Sequence, residues 1–371
     1  MTDYLSEKIV QEFIELAKID AASRQERGVA DAIIAKLTAM GFTVEEDNTA
    51  QAVKGNTGNV HAYLEGNLPG SVLFMAHMDR VQNGIGIHPV IYGNQLKSDG
   101  STILAADDLS GVSAILDGAR RILQTGEKHV GIEIVFSVCE EIGLQGSLNL
   151  DPSVIRSKFG YVLDSPGKTG TIYDSAMGKA QMILTVHGKS AHAAYPELGI
   201  SALHSAVKVL SQLEDGRVDD ETVVNWSYLV SDTPFNAISG SAQAKGLAMS
   251  RSNQKLKEYL QKYTETAAKA ADETKAEIEA AYHIDYPSFF VEEEKPSIQA
   301  AKKALEAIGI SPKIKHGAGG FDANRMNGYG IEMVGLSTGY SLNHTVNETL
   351  ELDDLIQAGE MVASIIRCCK G

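Results

Sequence analysis

The chain has 371 residues, 43% hydrophobic and 22% charged, with 48 acidic against 33 basic side chains and a formal net charge of −15. That length supports a large core and two or three domains of an ordinary globular protein. No segment carries the basic stripe that a polyanion requires, which argues against nucleic acid and acidic membranes as partners.

The opening residues, MTDYLSEKIVQEF, contain acids and no apolar stretch, and no later run is apolar enough to span a bilayer, so a cytoplasmic location is expected. Helical patterns cover Tyr4 to Lys18 and Arg24 to Met40, the second preceded by Ser23 and Glu26 in capping-box spacing. After Gly41 three short runs are nearly continuously apolar: VLFMA at 72–76, GIEIVFSV at 131–138 and FGYVL at 159–163. Such runs suit central strands covered on both faces by helices. A helical pattern from Asp108 to Gln124 separates the first two, giving the strand–helix–strand order of a mixed or parallel α/β sheet.

From Gly178 the texture changes to strand (180–188), helix (201–213), two strands (222–230 and 242–250), long helix (253–276) and strand (277–286). This βαββαβ order predicts a ferredoxin-like domain inserted at 178–286. The α/β domain is thus split into 1–177 and 287–371. Its second part carries a helix over Ser297 to Ile308, strand-like segments within 313–336 and a closing helix from Leu352 to Cys368. Cys139, Cys368 and Cys369 are too few and too poorly spaced for a disulfide framework or a thiolate zinc site, and read as buried or incidental thiols.

The chemistry is expected at the strand ends. VLFMA runs into His77-Met78-Asp79, GIEIVFSV into Cys139-Glu140-Glu141, and FGYVL into Asp164, while Asp107 and Asp108 stand before the next helix. In open α/β sheets ligands bind outside the carboxyl ends of the strands, so these clusters converge on the edge where a site belongs. Carboxylates and imidazoles without thiolates suit zinc, manganese or cobalt in a hydrolytic site. Asp107 is the natural bridge between two cations. Asp79 is placed to reach His77 from behind and fix its tautomer. Of the adjacent Glu140 and Glu141, one can bind metal while the other takes a proton from water. Asp108 reads as a helix N-terminal acid favoured by the dipole.

Seven segments together resemble the M20 metallopeptidases, and within them the peptidase T-like tripeptidases. They are HMDRV (77–81), SDGSTILAADDLSG (98–111), SVCEEIGLQGS (137–147), VLDSPG (162–167), GKSAHAAYPELGISAL (188–203), GGFDAN (319–324) and NHTVNE (343–348). The resemblance spans nearly the whole chain. It implies a zinc-exopeptidase fold with a lid, and two Zn2+ per subunit, one on His77, Asp107 and Asp164 and the other on Asp107, Glu141 and His344. Glu140 would be the base. By the same resemblance His192 polarises the substrate carbonyl, Asn236 contacts substrate, Arg251 grips a peptide carboxylate, and the lid can mediate a homodimer.

The implied activity is hydrolysis of short peptides, tripeptides in particular, from the free amino terminus. Three positions depart from the family's pattern. Met249 stands where relatives carry an arginine, with Arg251 two residues later on the same strand face; Ala105 stands where glycine is frequent; and Leu109-Ser110 replaces a lysine-containing pair. Gly317, Gly319 and Gly320 suggest a loop approaching substrate ahead of Asp322 and Asn324, with no helix pattern after it. The competing readings are a di-zinc amidohydrolase acting on dipeptides or N-acyl amino acids, and a catalytically silent peptide-binding protein on the same fold.

Overall fold

A computed structural model describes residues 4–369; the expected domain limits at 1 and 371 lie outside the described residues. The chain divides into two compact units, one made of residues up to Ala176 and from Phe290 on, the other of Met177–Phe289.

The first unit is built on a mixed sheet. In spatial order its strands are Thr43–Glu46, Val60–Leu64, Gly131–Ser137, Ser71–His77, Phe159–Ser165, Glu332–Ser337 and Thr171–Ala176, with Lys313–His316 pairing alongside the last. The four central strands, from Gly131–Ser137 to Glu332–Ser337, run parallel, so their carboxyl ends share one edge. His77 lies opposite Ser137, and Ser337 opposite Ser165. Burial on both faces explains why the three apolar runs read as continuous rather than alternating.

One cover is the helix Ala106–Thr125, which packs against Ser71–His77 and Phe159–Ser165 on one side and against the helix Leu352–Cys368 on the other. The two helices approach closely at Gly118, where a Cβ would come within 2.4 Å of Val362. Regular helix begins only after Asp107 and Asp108, both of which have non-helical backbone angles. A small antiparallel sheet, Tyr340–Ser341, Thr349–Glu351, Gln95–Lys97 and Val90–Tyr92, ties the segment after the central sheet to the 90–97 hairpin. This sheet brings the NHTVNE segment beside residues 104–107.

Three local expectations need correction. The capping box does not form: Arg24 takes a left-handed φ of 75°, the chain turns, and the helix begins at Arg27 with no side-chain cap from Glu26. Ser23 instead donates to Asp79 at 2.6 Å, and Glu26 accepts the Cys139 N–H at 3.0 Å. The first helical pattern is interrupted, a 3-10 turn at Tyr4–Ser6 preceding the α-helix Lys8–Ala17. A helix, Ala323–Gly328, does follow the glycine loop; six residues are too few to show a periodic apolar face.

In the second unit the antiparallel order is Gly216–Arg217, Thr222–Val230, Ser241–Ser250, Gly178–His187 and Glu277–Tyr286, with helices Ala202–Leu210 and Asn253–Thr274 packed on the sheet. Met182, Leu184 and Val186 form its core with Leu256, Leu260 and Tyr263. Ser201 and Ser252 cap the two helices by accepting the N–H of His204 and Lys255. The order of its four long strands and two helices is the ferredoxin-like one.

The central strand Gly131–Ser137 hides one charge. Glu133 is fully buried, and its carboxylate accepts the N–H groups of Arg156 (3.0 Å) and Ser157 (2.8 Å) and lies 2.9 Å from His61 Nε2. Burial works to raise its pKa, but the His61 contact and the Arg156 and Ser157 donors outweigh it, so the group sits below the usual glutamate range. The carboxylate therefore contributes stability above the unfolded value of about 4.3, lost as pH falls through the lower folded value. Glu133→Ala would strand these donors and is expected to cost about 2–4 kcal/mol. Urea denaturation at pH 7 checks this, and the deficit should shrink on acidification.

Candidate metal centre and active site

Strand ends set His77, the Glu140–Glu141 turn and Asp164, while Asp107 stands at a helix start and His344 in a loop. His77 closes its strand with its N–H on Asp108 Oδ2 at 3.1 Å, and Asp108 Oδ1 accepts the Gly111 N–H at 3.2 Å. Asp108 is thus a helix-start acid, as expected, and also a clamp on His77. The His77 Nδ1 lies 2.9 Å from the Asp79 carbonyl oxygen, which demands a proton on Nδ1 and turns Nε2 toward the neighbouring acids. That nitrogen faces Asp107 Oδ1 at 3.0 Å and Asp164 Oδ2 at 3.9 Å.

Asp79 works differently from expectation. Its carbonyl, not its carboxylate, makes the short contact with the imidazole; the carboxylate Oδ1 is 3.5 Å away. The strand ends at His77, so the main chain turns and brings the Asp79 carbonyl to the Nδ1 edge of the ring. The carboxylate instead accepts the N–H groups of Glu140 (2.8 Å) and Glu141 (3.3 Å) and the Ser23 hydroxyl. Asp79 therefore orients the His77 ring and the Glu140–Glu141 turn together.

The chain enters that turn through Cys139 at a left-handed φ of 54°. Cys139 itself is a buried free thiol. Glu140 is buried, its side chain has no hydrogen-bond partner among the described residues, and it borders the cleft. Burial drives its pKa well above the usual range, and the neighbouring Asp164, Glu141 and Asp322 push the same way. Glu141 Oε1 lies 3.0 Å from His344 Nε2 and is buried without a properly aligned hydrogen bond.

Asp107 holds the centre. One oxygen meets His77, and the other lies 3.1 Å from His344 Nε2 and accepts from Asn343 Nδ2 at 2.6 Å. The contacts with Asp107 and Glu141 raise the His344 pKa to about 10. Two donor groups result, His77–Asp107–Asp164 and Asp107–Glu141–His344, and within each one ligand atom per residue lies within 4.8 Å of the others. The groups fit divalent cations: each imidazole Nε2 faces carboxylate oxygens, one buried carboxylate oxygen has no aligned hydrogen bond, and several carboxylates share a buried site with too little positive charge.

Sequence reasoning missed the residues that hold these donors. Glu348 accepts the N–H groups of Leu104 (2.7 Å), Ala105 (2.9 Å) and Asp107 (3.0 Å), pinning the loop that carries Asp107. Burial and the Asp107 charge raise its pKa to about 7 against those three donors. Tyr340 donates its hydroxyl to Asp164 Oδ1 at 3.0 Å. Glu348 was visible as the last residue of NHTVNE, but its role required the small sheet to set it beside residue 104. Ala105 adopts a left-handed φ of 60°, a backbone conformation that favours glycine.

Around the donors opens a cleft of about 530 Å³, bordered by Tyr173, Lys315, His316 and the glycine loop at 317–320. Asp322 and Asn324 do not reach toward substrate. Asp322 accepts the hydroxyls of Ser137 and Ser147 at 2.5 Å, while Asn324 holds the Phe321 N–H at 3.0 Å, and both are buried.

His192, Asn236 and Arg251 belong to the second unit. There the Ala193 N–H donates to the Asn236 carbonyl at 2.8 Å and His192 bridges to Ala237, so one exposed pair of loops carries both His192 and Asn236. His192 Nδ1 accepts the Ala194 N–H at 3.1 Å. Arg251 does not continue the strand face of Met249, because the strand ends at Ser250, whose hydroxyl accepts the Ser252 N–H and turns the chain into the next helix.

Comparison with known proteins agrees with this geometry. Residues 73–367 match Peptidase family M20/M25/M40. Protein YqjE of Bacillus subtilis is 34% identical over 361 residues, covering 97% of each chain. The crystal structure of aminopeptidase PepT from Bacillus cereus superposes with a TM-score of 0.93 at 34% identity, covering 97% of this chain and 98% of that one. A tripeptidase from Staphylococcus aureus gives a TM-score of 0.93 at 28% identity, covering 97% of both. With the match running through most of its length, the chain belongs to peptidase family M20/M25/M40 and is a metallo-exopeptidase.

Proposed function

We propose that the protein is a di-zinc aminopeptidase that removes the amino-terminal residue from short peptides, tripeptides above all. The supporting observation is Asp107, whose two oxygens face the two imidazoles while Glu140 stands unpartnered at the same cleft. His77, Asp107 and Asp164 would hold one ion and Asp107, Glu141 and His344 the other. Bound zinc supplies an acidified water and polarises the scissile carbonyl.

Glu140 takes the proton of the attacking water and returns it to the leaving amine. Its raised pKa belongs to the cation-free site, where burial and neighbouring carboxylates disfavour the anion. Asp79 holds Glu140 in place through its N–H, and Tyr340 holds Asp164. The motif resemblance assigns the second unit's groups to substrate: His192 donates to the carbonyl oxygen, Asn236 contacts the peptide and Arg251 grips its carboxylate. Among the described residues no helix is long and apolar enough to cross a membrane. A cytoplasmic setting and a homodimer through the second unit are part of the same proposal.

Glu140→Gln is expected to lower free-amine release from a tripeptide by about 10³-fold or more while metal content, by plasma mass spectrometry, stays near that of the parent. Full turnover by the metal-loaded variant would remove Glu140 from the base role. Dialysis against a chelator should abolish activity, and zinc, cobalt or manganese should restore it; a panel of di-, tri- and N-acylated peptides reads the specificity, and faster cleavage of acylated substrates would sink the aminopeptidase reading. Because Glu348 fixes the Asp107 loop, Glu348→Ala should weaken metal affinity about 10–100-fold, measured by competition with a zinc-binding dye, without changing the metal preference.

A further inference from the structure

Beside the donor cleft, in the same unit, lies a second cavity of about 420 Å³ lined by Lys168, Lys313 and Lys315 with Thr169, Thr171 and Ser311. No acid lines it among the described residues, although the chain carries 48 acids to 33 bases. None of the three ammonium groups has an ion-pair or hydrogen-bond partner among the described residues. Lys168 does feel the charge of Asp354, but that carboxylate accepts the Thr169 N–H at 3.2 Å.

The fold builds this convergence. Strand Lys313–His316 runs parallel to Thr171–Ala176, with Lys313 opposite Thr171 and Lys315 opposite Tyr173. Two residues apart on a strand, the lysines leave the same face. Lys168 joins them through a turn in which the Thr171 N–H and hydroxyl both donate to its carbonyl, at 3.2 and 2.9 Å. Between them Gly170 sits at a φ of 103°, and a Cβ there would come within 2.6 Å of Ile310, so the turn and the strand close together only over glycine.

Lysines on a strand with one free side can serve simply to block edge-to-edge pairing. That role covers Lys313 and Lys315. It does not explain Lys168, which is off the strand, or the concave shape, whereas the Thr169 and Thr171 hydroxyls are engaged by the carbonyls of Asp354 and Lys168. Three like charges brought together with no ion-pair partner among the described residues repel one another, and an entering carboxylate relieves that repulsion. Lys315 also borders the donor cleft, so the two cavities adjoin through one side chain.

We propose that the lysine cavity is an anion site for an acidic side chain on the carboxyl side of the scissile bond, so that the preferred substrates are short peptides carrying Asp or Glu there. This rests on the aminopeptidase reading above, which already assigns the main-chain carboxylate to Arg251. A tripeptide whose first bond lies at the donor cluster passes Lys315 and places its third side chain among the lysines. The attraction acts between solvated charges, so it weakens as salt is added.

The test compares Leu-Gly-Glu with the isosteric, neutral Leu-Gly-Gln. The site predicts that kcat/KM for the acidic peptide exceeds that for the neutral one by about tenfold at low salt, mainly through KM. The ratio should collapse toward unity in Lys313→Gln and in Lys168→Gln, and return in Lys313→Arg. Calorimetric binding of the two peptides to metal-loaded Glu140→Gln protein supplies a readout without turnover, with the same charge preference and the same loss in the lysine variants. Equal cleavage and equal binding of both peptides, or a ratio untouched by the lysine substitutions, overturns the anion site and leaves the peptidase reading standing. If neither peptide is cleaved but the charge-selective binding persists, the site stands and the peptidase reading falls.

Discussion

A single carboxylate, that of Asp107, lies between two imidazoles and organises everything around it. Its oxygens meet His77 at 3.0 Å and His344 at 3.1 Å, while Asp164 and Glu141 crowd in from either side. So many acids in a desolvated place would repel one another, and burial raises the pKa of Glu140, Glu141 and Asp164 accordingly. Divalent cations resolve that conflict. The geometry is therefore that of a site organised around positive charge, with the imidazole tautomer of His77 already set by a backbone carbonyl.

The rest of the first unit serves to keep those donors still. Parallel strands end on one edge and deliver His77, the Glu140–Glu141 turn and Asp164 together. A second tier then locks each of them. Asp79 holds the glutamate turn by two N–H groups, Glu348 holds the Asp107 loop by three, and Tyr340 holds Asp164. Backbone donors bound to carboxylates make strong, short-range restraints, and each restraint links segments far apart in the chain. The left-handed turns at Ala105, Cys139 and His344 fall at these same places, where the chain must change direction within one residue.

Charge is distributed unevenly across the cleft wall. Acids gather at the strand ends, while lysines gather where Lys313–His316 meets Thr171–Ala176, and Lys315 borders both regions. A short peptide is itself polar in this sense, with an ammonium at one end and carboxylates toward the other. The protein's strongly negative net charge makes the lysine cavity the more conspicuous, since its cations are not spent on local ion pairs.

The amino-acid sequence by itself marked the central strands and the acids and His77 that the fold brings together, because burial on both faces writes a strand as an apolar run and His77, Glu140, Glu141 and Asp164 follow directly after those runs. Motif resemblance added His344, which no periodicity marks. The sequence also carried the βαββαβ order of the second unit, since each of its elements shows its own period. Only the tertiary structure decided which groups restrain the donors: that Ser23 meets Asp79 instead of capping a helix, that Asp79 steadies His77 through its carbonyl, and that Glu348 reaches the Asp107 loop across 241 positions of chain. The gathering of Lys168, Lys313 and Lys315 likewise depends on pairing between distant strands. Local pattern encodes what each segment buries, whereas a hydrogen bond between remote segments leaves no periodic trace in either of them.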